Sequence, residues 1–167
     1  FSIKADDETK VCYPFDFEFR VCYKLNSDNV VVDYKVTNPS DETIWFSVGS
    51  HDAFATPEGF DKYDIIFPEE ETLDNYLLYG SIIGDETNNI IKNSKKLVLS
   101  NDLFDVDSLV FKNIKSRYCH LVNRKTGRGV RLDYADATYM VIWALIDGPY
   151  ICIEPWCGAP ANEGIID

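Results

Sequence analysis

The sequence predicts an all-β protein built as an antiparallel β-sandwich, and three observations lead there. Several stretches alternate apolar and polar residues with period two. Turn-forming clusters of Asn, Asp, Ser, Gly and Pro separate these stretches at short intervals. No segment carries an apolar stripe of period 3.6 sustained over three turns. The 167 residues are 14% aromatic, a surplus that suits packing on a pleated face and, equally, stacking against the C–H face of a sugar ring.

Taken in order, the first strand is residues 15–21. Phe15, Phe17, Phe19 and Val21 fall on one face, and Asp16, Glu18 and Arg20 on the other. After the polar turn Asn26-Ser27-Asp28-Asn29, residues 30–36 alternate again through Val30, Val32, Tyr34 and Val36, which predicts a hairpin. A second turn, Asn38-Pro39-Ser40-Asp41, leads to a strand over 43–48 that Gly49 breaks. Tyr63, Ile65 and Phe67 alternate in a strand that Pro68 ends. Further strands are predicted at 76–79, 97–99, 109–111 and 118–122. A tight turn at 126–129 follows, then strands at 130–134, 139–146 and 150–153. The polar segment 80–96 reads as a loop, with a short hairpin at Ile82-Ile83 and Ile90-Ile91. The whole of residues 1–167 is expected to form a single β-sandwich domain.

Composition narrows the function. Lys and Arg number 16 against 28 Asp and Glu, a net charge of −12, which repels nucleic-acid backbones and anionic lipid surfaces. The nearest thing to a basic group is Arg124, Lys125, Arg128 and Arg131, which straddle a turn. No apolar run approaches the roughly 18 residues of a membrane span. Neither nucleic acid nor membrane is therefore an expected partner. The five cysteines, Cys12, Cys22, Cys119, Cys152 and Cys157, include no Cys-x-x-Cys pair and sit mostly in apolar runs. They read as free thiols in a reducing, cytoplasmic setting rather than as metal ligands. Phosphate-cradling glycine loops and a Gly-x-Ser-x-Gly elbow are missing, so nucleotide cofactors and serine hydrolysis are not indicated.

Two histidines and one glutamate stand out. His51 follows a strand and a Gly-Ser break and precedes Phe54, a loop-edge position from which an imidazole reaches a cleft as general acid or base, or simply caps a strand end. His120, in the middle of Arg117-Tyr118-Cys119-His120-Leu121, reads as a half-exposed strand residue. Glu154 ends the apolar run Tyr150-Ile151-Cys152-Ile153 and precedes Pro155-Trp156. Partial burial there would raise its pKa and make it a better base, and Pro155 holds its backbone extended. The competing reading is a strand-end carboxylate in water. Asp102, Asp105 and Asp107 lack the pattern of a calcium loop and read as a solvated acidic turn.

Four stretches, in order along the chain, resemble the aldose 1-epimerase (galactose mutarotase-like) superfamily, in particular a bacterial branch of it. Tyr13-Pro14-Phe15 opens the hairpin. Val36-Thr37-Asn38 precedes Trp45 to Phe54, which is similar to a Gly-x-His-Pro-x-Phe element. Phe104 with Asp107-Ser108-Leu109-Val110-Phe111 is similar to an Asp-Ala-Leu-Ile-Phe element, and Glu154-Pro155-Trp156-Cys157-Gly158 to Glu-Pro-Trp-x-Gly. The resemblance implies a supersandwich of mostly antiparallel strands that interconverts the α and β anomers of a free monosaccharide without metal or organic cofactor. It implies Glu154 as general base, His51 as general acid, and Asp107 and Trp156 as sugar contacts, with acid and base facing each other across a pyranose-wide gap. The alternative is a carbohydrate-binding module on the same scaffold without turnover. Two departures accompany the match. Asp52 stands where the branch has proline, and the chain resembles only the C-terminal portion of such epimerases, whose upstream half carries a further arginine and histidine. Exposed sheet edges covered by self-association or by an upstream half are the corresponding expectation.

Overall fold

The structure, a computed structural model, describes residues 1–80, 82–105 and 107–159. Among these residues there are twelve strands, three short 3-10 turns and no α-helix, and every strand pairing is antiparallel. Contacts divide the chain into two compact units, Phe1–Phe46 and the remainder from Ser47 onward.

The first unit is a three-stranded sheet of order β1-β2-β3, with β1 at Ser2–Lys4, β2 at Glu18–Leu25 and β3 at Val30–Thr37. The expected hairpin is β2–β3, in register from Glu18 opposite Thr37 to Leu25 opposite Val30. Phe15, Phe17, Phe19 and Val21 are half-buried while Asp16 and Arg20 are exposed, as the alternation requires. The strand itself begins at Glu18. Residues 13–17 form a local aromatic knot instead, in which the Tyr13 ring meets Phe15 and Phe17 at 5.0 and 5.4 Å between centroids.

Residues 43–47 are not a strand. Asn38 Nδ2 donates to the Glu42 carbonyl at 2.6 Å, Ser40 Oγ leans on the same carbonyl at 3.3 Å, and the Tyr13 hydroxyl donates to the Trp45 carbonyl at 2.6 Å. Side chains thereby take the carbonyls that a strand would have offered to a neighbour.

In the second unit the strands are β4 (Val48–Gly49), β5 (Ala53–Ala55), β6 (Tyr63–Tyr79), β7 (Ile82–Val98), β8 (Leu109–Lys112), β9 (Tyr118–Asn123), β10 (Gly129–Asp133), β11 (Tyr139–Trp143) and β12 (Tyr150–Cys157). They form one sheet of order β10-β9-β6-β7 and another of order β4-β12-β11-β8, in which β5 also pairs with β12. The core joins the inner faces of both. Ile65, Phe67, Leu97 and Leu121 come from the first sheet, and Leu109, Phe111, Met140, Ile142, Ile151 and Ile153 from the second. This is the predicted sandwich.

Its largest departure from expectation is the hairpin β6–β7, two strands of 17 residues each where three short strands and a loop with a short hairpin were expected. Pro68 does not end β6. The pairing jumps there from Ile66 opposite Lys96 to Glu71 opposite Ser94, and an irregularity of this kind tolerates a residue without an N–H. The segment 80–96 read as a loop because β7 is mostly exposed, with only Ile83, Gly84, Ile91 and Leu97 buried along it. Glu71, itself 1% exposed, turns inward and accepts the Ser116 N–H at 2.8 Å and the Lys115 N–H at 3.4 Å.

Two of the four residues of the basic group are held in ion pairs: Arg124 with Asp64 at 2.8 Å and Arg131 with Asp133 at 2.6 Å. All five cysteines are free thiols. Among the described residues no helix is long and apolar enough to cross a membrane.

Candidate active site

The strand β12 sorts its residues by period two. Ile151 and Ile153 point into the core, so Cys152, Glu154 and Trp156 share the opposite face. Pairing with β11 sets Trp143 opposite Cys152, Val141 opposite Glu154 and Tyr139 opposite Trp156, so the carboxylate sits in a field of aromatic and apolar neighbours. On its other edge β12 pairs with both β4 and β5, through Gly49 opposite Trp156 and Ala53 opposite Cys152. The link between β4 and β5 is only Ser50, His51 and Asp52, and it must pass beside Glu154. Backbone bonds pin it on either side: Ser50 N–H to the Pro155 carbonyl at 3.2 Å, and Ile153 N–H to the Asp52 carbonyl at 3.0 Å.

His51, at the middle of this link, places Nδ1 3.3 Å from Oε1 of Glu154. The pair is asymmetric in exposure, with the His51 side chain 71% and the Glu154 side chain 2% accessible. Burial pushes the Glu154 carboxyl above its ordinary value. The His51 ring and the Trp156 indole N–H pull it back, and the Asp52 carboxylate pushes it further up. The indole N–H itself donates to the Ser50 carbonyl at 3.1 Å, which ties Trp156 to the link. Gly49 makes room for that indole, since a side-chain carbon there would overlap the Trp156 ring.

These residues line a cavity of about 390 Å³, with Val48, Gly49, Ser50, His51, Glu154 and Trp156 on its walls. Its size falls in the range that takes a small organic ligand. The Ser50 hydroxyl is buried and has no hydrogen-bond partner among the described residues, which leaves a polar group at the site to be satisfied.

Three of the four residues singled out in the sequence thus meet: His51, Glu154 and Trp156. They meet more closely than expected, because His51 and Glu154 are in contact instead of spanning a pyranose-wide gap. Asp107 is apart from them. It is exposed, in the turn before β8 at φ 86°, and is not on the cavity wall. Asp102 and Asp105 are exposed, as a solvated turn requires. His120 lies half-buried in β9, its ring 5.5 Å from that of Tyr118.

Sequence reasoning passed over Ser50 and Cys152. The second had a signal, since it stands two residues before Glu154 in a strand. Donor atoms of His51, Cys152 and Glu154 all lie within 4.8 Å of one another, a set able to hold a metal ion.

A family model described as aldose 1-epimerase matches residues 1–161. Protein LacX (plasmid) of Lactococcus lactis subsp. lactis is 32% identical over 167 residues, covering 95% of this chain and 56% of LacX. The crystallised galactose mutarotase related enzyme of Lactobacillus acidophilus superposes with a TM-score of 0.87 at 30% identity, over 99% of this chain and 58% of that one. A galactose mutarotase-like protein of Lactobacillus casei gives 0.85 at 26% identity, over 96% and 57%. The chain therefore spans little more than half the length of the relatives it matches.

Proposed function

This chain belongs to the aldose 1-epimerase family, and from that premise we propose that it carries the acid–base centre of an enzyme interconverting the anomers of a free aldose. The observation that carries the reading is the pair itself: a carboxylate 2% exposed at the wall of a sugar-sized cavity, 3.3 Å from an exposed imidazole. Glu154 is the general base and His51, protonated, the general acid.

The hemiacetal's two reacting oxygens, O1 and O5, are both bonded to C1. An acid and a base close together can therefore serve both from one edge of the ring. Glu154 takes the proton from the O1 hydroxyl. His51 gives its proton to O5 as the C1–O5 bond breaks, leaving an open-chain aldehyde. Rotation about C1–C2 turns the other face of the carbonyl to O5. The O5 hydroxyl then adds to C1 and returns its proton to His51, while Glu154 returns the other to O1. No proton is gained or lost over the cycle, and both groups end as they began.

Burial alone would hold the proton on Glu154; the adjacent His51 ring opposes it and favours the ionised carboxylate. Trp156 offers a ring face to the sugar, and the Ser50 hydroxyl a hydrogen bond to one of its hydroxyls.

Proton-exchange NMR or polarimetry on fresh α-galactose and α-glucose tests this. Faster anomer exchange that Glu154→Gln abolishes supports the reading; equal rates for the two proteins overturn it. Sugar-induced shifts around Trp156 without faster exchange would point instead to a binding module.

A further inference from the structure

We propose that His51, Cys152 and Glu154 also form a binding site for a thiophilic divalent cation, zinc by preference, and that the cation, once bound, excludes the sugar. The inhibitory part of this rests on the reading of His51 and Glu154 as the proton-transfer pair; the site itself does not.

The geometry comes first. Cys152 and Glu154 are fixed on one face of β12, both 2% exposed, and the β4–β5 link carries His51 over them. Their donor atoms lie within 4.8 Å of one another, and the Nδ1–Oε1 separation is 3.3 Å. Two ligands each about 2.0–2.2 Å from one tetrahedral zinc stand roughly 3.3–3.5 Å apart, so this edge of the coordination sphere is already made. The thiol sulfur, within 4.8 Å of both other donors, must draw in by up to about 1.3 Å to take the third vertex. The fourth vertex opens toward the exposed His51 side, which gives the ion both an access route and room for a water.

Charge supports the same site. Asp52 adjoins His51 in the β4–β5 link and its backbone carbonyl is held by the Ile153 N–H at 3.0 Å, so a residue carrying a second carboxylate is anchored beside the donors. Among the described residues no Lys or Arg forms an ion pair with Asp52 or Glu154. A dication would add compensation beyond the contact that Glu154 makes with His51. The donors are one nitrogen, one sulfur and one oxygen, a set suited to zinc or cobalt and ill-suited to magnesium or calcium, which take oxygen ligands. Asp52 occupies the position where the related branch has proline, and this site gives that departure a use.

Binding forms Zn–S, Zn–N and Zn–O bonds. The Cys152 thiol loses its proton to buffer, and His51 binds through an unprotonated ring nitrogen. Both groups of the proposed proton relay are thereby withdrawn from the sugar, so zinc inhibits by competition.

The test uses cobalt(II) as a spectroscopic stand-in, added to protein stripped with chelator. The expected result is one equivalent bound, a near-ultraviolet thiolate-to-cobalt charge-transfer band, and displacement by zinc. The band vanishes in Cys152→Ala and persists when Cys12, Cys22 and Cys157 are all replaced by serine. His51→Gln, a change at an exposed side chain that folding tolerates, weakens cobalt binding at least about tenfold, and Asp52→Asn by about tenfold. Absence of the band, its survival in Cys152→Ala or its loss in the triple serine variant overturns the site. Zinc should slow wild-type mutarotation reversibly and leave that of Cys152→Ala unaffected. Cobalt binding of this kind in a protein without mutarotase activity would retain the cation site and discard the catalytic reading. Mutarotase activity without the band would do the reverse.

Discussion

The Trp156 indole occupies the space that a side chain on Gly49 would need, and it donates its N–H to the Ser50 carbonyl one residue further on. A strand residue on one side of Glu154 is thus packed against the link that carries His51. Gly49→Ala forces the indole aside. We expect a loss of about 1–3 kcal/mol from overpacking, seen as a lower Tm, together with a raised KM for the sugar as Trp156 and the link shift. A variant with unchanged Tm and unchanged KM would show that the indole has no part in holding the site.

Glu154 trades stability for reactivity. Burial, above all, raises its folded-state pKa above the 4.5 of an ordinary glutamate. The folded protein therefore binds this proton more tightly than the unfolded chain does. That contribution to stability is fully present below pH 4.5 and is lost as pH rises through the folded-state pKa. Glu154→Gln, which cannot ionise, should have a higher Tm than wild type at pH 8, and the difference should shrink as the pH falls toward 4.5. Its mutarotation rate should drop by about 10²–10⁴-fold. Thermal melts across pH, set beside the rates, check both halves.

The acid limb of kcat/KM, measured in chelator-treated buffer, should lie above pH 4.5, where an unperturbed glutamate titrates. Protonation of the base removes activity as pH falls. Asp52 is a like charge that pushes this pKa up, so Asp52→Asn should move the limb to lower pH. A limb that stays in place, or moves the other way, would mean that a different group titrates there.

Away from the site, Glu71 serves as a structural control. Its buried carboxylate accepts the N–H groups of Ser116 and Lys115. Glu71→Ala leaves them without that partner and should cost about 1–3 kcal/mol or more, read as a lower denaturation midpoint. The anomer-exchange rate per folded molecule should not change.

Much of this architecture could be read before the structure. Phe15, Phe17, Phe19 and Val21 show their shared face in plain alternation, and the strand read over 150–153 is present, although it runs on past Glu154 and Pro155 to Cys157. The hairpin β6–β7 was hidden for two reasons. Most of β7 faces water, so its apolar period is diluted, and Pro68 sits at an irregularity that only the pairing partner reveals. Residues 43–47 misled in the opposite direction: Ile44, Trp45 and Phe46 have strand-like composition, but Asn38, Ser40 and Tyr13 claim nearby carbonyls from a distance that periodicity does not register. At the site, His51, Glu154 and Trp156 could be picked out by resemblance. Their contact could not, because it depends on β4 and β5 both choosing β12, about a hundred residues away in the chain.

That choice has a consequence for how the protein can fail. A one-residue slip of β12 against its neighbours would bury Glu154 in the core and expose Ile153 and Ile151 on the cavity side. The same slip would part Glu154 from His51 and strip the interior of two of its buried side chains. A misregistered molecule would therefore be too unstable to accumulate as a well-folded but inactive form. Assembly of the sheet acts as its own inspection step, since the arrangement that brings His51 and Glu154 together is the one that closes the core.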